Sequence, residues 1–490
     1  MTNPSTSPPF PVANDGEQLI DLLLALDQVQ HIYAWLVQHF EGVGPLAFLA
    51  PDEIDAVHPR MRGFNVNLNR LVVTSIAERL RVSGWGGADG DAASQIWDRC
   101  DLDLYSRQAF NEALLLGRSC LIAWVGEDGH AHVSVESAQQ VSVQSDPGTR
   151  ELTAACKRWR TSDTTEAVLF LPDSVQKYRA NAGSTTGGFN LISEMPNPLG
   201  IVPVAQLSNV DRLPLYWGVT AATEFAYPER GLMGGSVRSE IADVIPIQQA
   251  ISVLIQDMLE TSRTLSRPRR WASGIALVEQ PRIDRATGDP VLDEGGNPII
   301  DVVTPIREGD RIMTAEASEA RFGQLDGASL DSYQKGVSIL VSQLQAVAAL
   351  PSHYLGVLQQ APPSADALRA SEAALVARCE ERQLAFGKGL QRMMRIAIAI
   401  EQGVDPRDVD VQVQWAPADT SSVAQEADAV TKLHAQGLLP TSFALRKLGY
   451  SQDEVTQARQ DLTDDVAAAK KADPLASYFN RQNPQLGGDQ

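Results

Sequence analysis

Leu350-Pro351-Ser352-His353-Tyr354-Leu355-Gly356-Val357-Leu358-Gln359-Gln360-Ala361-Pro362-Pro363-Ser364-Ala365-Asp366-Ala367-Leu368 reads as a loop between two helices. Proline has no backbone donor and its ring clashes with the turn before it, so Pro351 ends the helix that precedes it. Pro362 and Pro363 hold the approach to the next helix extended. Ser364 stands where a hydroxyl accepts from the free N–H groups of a helix starting at Ala365. Residues 351–364 therefore form a polar loop, stiff at both ends. It carries His353, Tyr354, Gln359 and Gln360, which hydrogen-bond or stack without adding positive charge.

Outward from this loop the periodicity is helical on both sides. Upstream, Leu330, Tyr333, Val337, Leu340, Leu344 and Val347 recur three and four apart up to Leu350. At ~1.5 Å per residue that rod is ~30 Å long. Downstream, Ala365 to Glu401 is one helix, stopping before Gly403. A further helix spans Ser239 to Leu265, with Ile241, Val244, Ile245, Ile251, Leu254, Ile255, Met258 and Leu259 on a stripe and Pro246 starting or kinking it. It ends at Arg267-Pro268-Arg269-Arg270. Between the two upstream helices, residues 271–313 hold short strands around a Gly, Asp and Pro-rich turn region, Asp284 to Asn297.

The N-terminal half mixes helix and strand. Leu19 to Phe40 and Asn69 to Leu80 are helical by periodicity, and Gly84 to Gly90 is a Gly-rich break. A helix from Ala92 to Leu116 ends at Gly117. Strands follow at Leu121–Val125, Val133–Val143, Leu152–Arg160, Ala167–Leu171 and Val175–Arg179, with turns at Glu127-Asp128-Gly129 and Ala182 to Gly188. After the long helix from Ala365 come a strand at Val409–Trp415 and an Ala, Gln and Asp-rich helical region, 422–470, broken at Gly437 to Pro440. The fold class is α+β.

Composition bounds the function. Of 490 residues 43% are hydrophobic and 21% charged, an ordinary folded composition. Lys and Arg number 41 against 61 Asp and Glu, a net charge of −20. Tight nucleic-acid binding rests on phosphate neutralisation, so such a chain does not grip DNA, although DNA can slide past it. Cys100, Cys120, Cys156 and Cys379 fit neither a zinc site nor a redox pair and read as buried, reduced thiols. Met1 to Pro11 is polar, with no basic segment leading into an apolar run. No stretch has the ~20 apolar residues a membrane span needs. A soluble protein is expected.

No motif assembles an enzyme. Gly387-Lys388-Gly389 lacks the Ser or Thr of a phosphate loop and lies in a helix. Gly117-Arg118-Ser119 has Leu121 where a nucleophile turn needs glycine, so Ser119 reads as a buried strand start. His130 and His132 alternate as on one strand face, with no third metal ligand nearby. Asp98, Asp101 and Asp103 fan out around a helix rather than converge. Arg263, Arg267, Arg269 and Arg270 make the densest cationic run. They either counter a helix dipole or contact a phosphate or partner protein.

Taken in order, several segments resemble the tailed-bacteriophage portal (head-to-tail connector) family, of the type found in actinobacteriophages. They are Asn67 to Val82 with Trp85; Ile96-Trp97, Leu102-Asp103 and Ala113 to Ser119; Gly235-Ser236 to Pro246 with Arg269 to Gly274; and Leu350 to Gly356 with Pro363 to Leu368, then Phe386-Gly387. The likeness runs from about residue 20 to about residue 465.

The resemblance implies a ring of about twelve subunits around a DNA channel. Residues 1–16 would be a flexible arm and 17–235 an α+β wing. A stem helix would occupy 236–266, a clip 267–313, and a wing and stem helix 314–350. The channel loop would be 351–364, followed by a helix and wing strand at 365–420, a helical crown at 421–470 and a tail at 471–490. The partners implied are the terminase large subunit, a head-tail adaptor, the major capsid and scaffolding proteins, and double-stranded DNA. No cofactor, metal or catalytic residue is implied. The place implied is the portal vertex of the virion, with assembly in the host cytoplasm. Two other readings stay open: another phage head or minor capsid protein, and a metal-dependent phosphotransfer enzyme built on Asp98, Asp101 and Asp103.

Overall fold

The computed structural model describes residues 15–44, 66–146, 148–210, 237–265, 270–273, 278–283, 289–293, 295–303, 319, 321–324, 330–355, 364–419, 423–448, 450 and 454–463. They divide into two compact units. One comprises Met1–Pro45, Asn65–Gln248 and Gln343–Gln490, and the other Leu46–Phe64 and Gln249–Ser342. Among the described residues no helix is long and apolar enough to cross a membrane.

The first unit opens with helix α1, Asp15–Glu41. Its eight expected core positions, Leu19, Leu22, Leu23, Leu26, Val29, Ile32, Tyr33 and Leu36, are all buried. Each is worth about 1.5–3 kcal/mol relative to exposure. Helix α2, Leu68–Ala77, begins where the Asn67 side chain accepts from the Arg70 amide. Strand β1, Val82–Gly86, follows, then α3, Gly90–Arg99, and α4, Leu102–Leu116. The expected single helix from Ala92 to Leu116 is thus two. Asp101 adopts a left-handed φ of +51° and turns the chain, and Trp97 Nε1 donates to Asp103 Oδ1 at 2.8 Å across the break. Asp tolerates that conformation better than most residues, which is why the break carries no glycine. Gly117 closes α4 at a φ of +82°, as its position predicts.

Two antiparallel sheets follow. Strands β2 (Arg118–Val125), β3 (Ala131–Ser137) and β9 (Val204–Ser208) pair in the order β3-β2-β9. Strands β4 (Val141–Ser145), β5 (Leu152–Arg160), β6 (Thr164–Phe170), β7 (Ser174–Asn181) and β8 (Asn190–Pro196) form a meander. The expected strand Val133–Val143 splits into β3 and β4 around a turn at residues 138–140. Alternation sends Ala154, Cys156, Ala167, Leu169 and Tyr178 toward Leu19, Leu22 and Leu23 of α1. Ala155 and Phe170 point the other way, onto Cys120, Ile122, Val202 and Val204. The layers therefore run α1, meander, three-stranded sheet.

Behind the three-stranded sheet lie α4 and the longest helix, Ala365–Gln402. Its N-cap is Ser364, whose hydroxyl accepts from the Ala367 amide at 3.2 Å, and its C-cap is Gly403, φ +66°. Its glycines mark close crossings. A Cβ on Gly389 would stand 2.5 Å from Gln206 O, and one on Gly387 3.1 Å from Val413 Cγ1. Phe386 stacks on Phe110, ring centres 5.8 Å apart, with Trp415 5.6 Å from Phe110. Trp415 closes strand Gln412–Trp415, which pairs with β1. The expected Gly-rich break thus contains a strand, because Gly84 and Gly86 sit within the ladder. Helices Val423–Ala435, Thr441–Lys447 and 454–463 follow, separated at the expected Gly437 to Pro440 break.

In the second unit the two long helices are Ile245–Leu265, here α5, from Gln249 onward, and Asp331–Ala348, here α6, up to Ser342. Gly336 lets them approach closely, since a Cβ there would lie 3.3 Å from Leu254 Cδ1. Thr261 Oγ1 and Tyr333 Oη share a hydrogen bond of 3.2 Å. Between the helices are two strand pairs, β10 (Arg270–Ser273) with β13 (Arg321–Gln324), and β11 (Val278–Pro281) with β12 (Ile300–Val303). Strand β13 lies beyond the 271–313 insert read from the sequence. With α5 and α6 placed, Ala365–Gln402 is α7, Val423–Ala435 α8, Thr441–Lys447 α9, and Gln412–Trp415 β14.

Candidate functional site

Several buried charged side chains of the first unit converge on about three turns of α7. Arg79, just past α2, is 9% exposed. Its Nη1 donates to Ala418 O at 2.6 Å, and its Nη2 to Tyr354 Oη at 2.9 Å and to Glu372 Oε2 of α7 at 3.1 Å. Glu372 also meets His353 Nε2 at 3.3 Å. His353 and Tyr354 lie in a 3-10 turn, Ser352–Leu355, directly after Pro351, with their rings edge to face. Gln383 of α7 donates to Arg79 O and Ala416 O. Burial lowers the Arg79 pKa, but the hydrogen bonds to Tyr354 and Glu372 outweigh it and hold the guanidinium above its usual value.

One turn further on, a second cluster forms around Glu240, five residues before α5. Its Oε1 accepts from Arg382 Nε at 2.7 Å and from Asn209 Nδ2 at 3.0 Å, and its Oε2 lies 3.7 Å from Arg378 Nη1. Arg378 donates to the carbonyls of Ala348 and Val347, capping the last turn of α6, where cations complement the helix dipole. Arg382 reaches Val210 O, and Asn209 holds Arg238 O. Together the two clusters gather the approach to α5, the exit from α6, the root of the 351–364 loop and the lead into α8. Both carboxylates are paired and hydrogen-bonded, the condition under which burial of charge is tolerated.

Cys379 lies between the clusters, its thiol pushed up to about 11, chiefly by burial. Burial likewise raises Cys120 and Cys156 to about 12. All four cysteines are buried and free. A thiolate-seeking reagent at pH 8 should therefore label none in the native chain and four after denaturation, counted by absorbance. Rapid native labelling of Cys379 would show that the junction opens.

The sequence-derived site residues fare unevenly. His353 and Tyr354 sit in the Arg79–Glu372 cluster. Gln359, Gln360, Arg267 and Arg269 lie outside the described residues, and Arg270 is described only as the start of β10. Ser119 is fully buried, its hydroxyl bonded to Ala109 O at 2.8 Å. His132 stacks on Trp124, while His130 faces Glu401 at 3.7 Å. Among the described residues no group of three His, Cys, Asp or Glu is placed to hold a metal ion. Arg79, Glu240, Glu372, Arg378 and Arg382 were not picked out from the sequence. The signal that marks Arg382 is its place on the same helical stripe as Leu375, Cys379 and Phe386.

Comparison with known proteins places this chain in a family. The phage portal proteins of the SPP1 Gp6-like type match residues 61–471. The portal protein of Mycobacterium phage L5 is 28% identical over 418 residues, covering 81% of this chain and 78% of that protein. That of Mycobacterium phage D29 is 26% identical over 417 residues, with the same coverage. Among solved structures, a chain from the neck of a native gene transfer agent particle computed with C12 symmetry covers 82% of this chain and 95% of its own. Its TM-score is 0.41 and its identity 13%. The chain belongs to the phage portal proteins of the SPP1 Gp6-like family. Its function is that of a phage portal protein, in a family that is structural rather than enzymatic.

Proposed function

We propose that the chain forms a closed ring of about twelve copies at one capsid vertex, through which duplex DNA is packaged and ejected. The observation that carries this reading is the apolar surface left on the two long helices. Ile339 of α6 is 59% exposed, and Val337, Leu340, Leu254 and Ile255 are only half-buried. A contact repeated from one copy to the next covers such a stripe, and a repeat that closes is a ring. The acidic charge, −20 per chain, suits a channel that repels phosphate and lets DNA slide. Native mass measurement should return about ten to fourteen copies, and a persistent monomer under all conditions would overturn the reading.

In this reading the terminase large subunit, and later a head-tail adaptor, dock on the clip through Arg267, Arg269 and Arg270. Major capsid and scaffolding proteins meet the outside of the ring. The loop 351–364 lines the channel. His353 and Tyr354 fix its root through Glu372 and Arg79, and Gln359 and Gln360 supply the neutral polar contact with passing DNA. Replacing Val357 to Gln360 by a Gly/Ser link should leave ring mass and thermal unfolding unchanged and abolish DNA packaging in a complementation assay. Normal phage yield from that variant would remove the loop from the mechanism.

A further inference from the structure

Three arginines line one cleft of about 390 Å³ in the first unit, outside both clusters. Arg392 and Arg395 come from α7 and Arg407 from the segment after it; Thr149, Glu151 and Gly200 also line the cleft. Arg392 is half-buried and spends only its Nε, on Val204 O at 3.3 Å. Its two terminal nitrogens have no protein partner among the described residues. Arg395 and Arg407 are exposed, and their side chains make no hydrogen bond or ion pair among the described residues. Burial draws the Arg392 pKa down, with Glu151 opposing, as expected of a guanidinium that lacks a close counter-ion. In a chain of net charge −20, this cleft is lined by three guanidinium groups and one carboxylate, Glu151.

We propose that this cleft binds the carboxylate side chains of an acidic peptide segment on a partner protein. Guanidinium forks pair bidentately with carboxylates, and three of them spread along a cleft suit successive Asp or Glu side chains. Phosphate sources fit less well. No aromatic side chain lines the cleft to stack a base. Glu151 repels a phosphodiester backbone, whose charges are fixed and dense, more than a chain whose carboxylates can turn away. The proposal does not depend on ring formation.

The test is a titration of the full-length chain with a fluorescent hexaglutamate peptide at low salt, read by anisotropy. One peptide should bind per chain. Arg395→Gln with Arg407→Gln should weaken binding about tenfold, with thermal unfolding unchanged because both side chains are exposed. Glu151→Gln should tighten it, since the competing carboxylate is gone. Inorganic phosphate and a duplex oligonucleotide should displace the peptide only at much higher concentration. Absence of binding to the unsubstituted chain, or equal binding by the double variant, overturns the proposal. Displacement by phosphate or duplex as effective as by free peptide also overturns it, in favour of a phosphate site.

Discussion

Replacing Arg79 with methionine should destabilise the first unit by about 3–5 kcal/mol, the cost of leaving one member of a buried pair uncompensated. Methionine fills much of the arginine stem's volume, so the loss is electrostatic rather than a cavity. What remains is Glu372, 7% exposed, without its guanidinium partner, with Tyr354 Oη and Ala418 O stripped of that donor. Lysine should not rescue it, because one ammonium cannot serve three acceptors set apart as a guanidinium serves them. Adding Glu372→Gln to Arg79→Met should recover part of the loss, since the buried carboxylate no longer carries a charge that Arg79 balanced. The denaturant midpoint of the first unit is the measurement, read with an unchanged slope. Limited proteolysis supplies the functional readout. With its root released, the 356–363 span should be cut at lower protease levels than in the unsubstituted chain. A loss below about 1 kcal/mol would mean that the cluster is solvated and that the root is held by Pro351 alone.

Much of the fold was legible because periodicity reports burial. All eight stripe residues of α1 are buried, and the Ser364 cap and the Gly117 and Gly403 stops fall where side-chain chemistry put them. Legibility failed where a residue served an unusual conformation or a long-range partner. Asp101 turns the chain in a left-handed conformation that glycine normally marks, so two helices looked like one. β1 looked like a break because its Gly84 and Gly86 face Gln414 and Gln412 of a strand more than 300 residues on, a pairing no local pattern reveals. β8 went unmarked because all seven of its residues are exposed, which leaves no alternation to read. Gly387 and Gly389 were rightly not taken as a phosphate loop. Their actual role, letting α7 cross β14 and β9 closely, needs the crossing itself to be seen.

The two buried clusters were not legible in the sequence as a site. The Pro-bounded segment drew attention to His353 and Tyr354, and both do take part in a buried polar cluster. Their partners were hidden because an Arg or Glu on a helix usually faces water. Only the clash between charge and stripe at Arg382 would have betrayed it. Arg79 sits at a helix end, where an exposed cation is the ordinary expectation. The residues that join loop, α5 and α6 come from positions as distant as Arg79 and Glu372, or Glu240 and Arg382, and each is unremarkable in its own segment.

The same reasoning fixes the expected behaviour of Glu240. Glu240→Ala should cost about 3–5 kcal/mol of stability in the first unit, because Arg382, 7% exposed, loses its close partner while remaining buried. The other carboxylate near it, Glu381 at 3.6 Å, is 66% exposed and too well solvated to compensate. Arg378 should suffer less, since it keeps the carbonyls of Val347 and Ala348. Glu240→Gln should fall between, retaining an acceptor for Arg382 and Asn209 without the charge. The order Ala, Gln, unsubstituted chain, from least to most stable, separates a charge effect from simple loss of packing. If Gln proves as damaging as Ala, the negative charge carries the junction. If Gln matches the unsubstituted chain, the hydrogen-bond geometry alone does. Arg382→Met should be as costly as Glu240→Ala, and the two together less costly than the sum, because each single change strands the other's charge. Strictly additive losses would show that the two side chains act independently, and the cluster would then not be the link that ties α7 to the approach of α5.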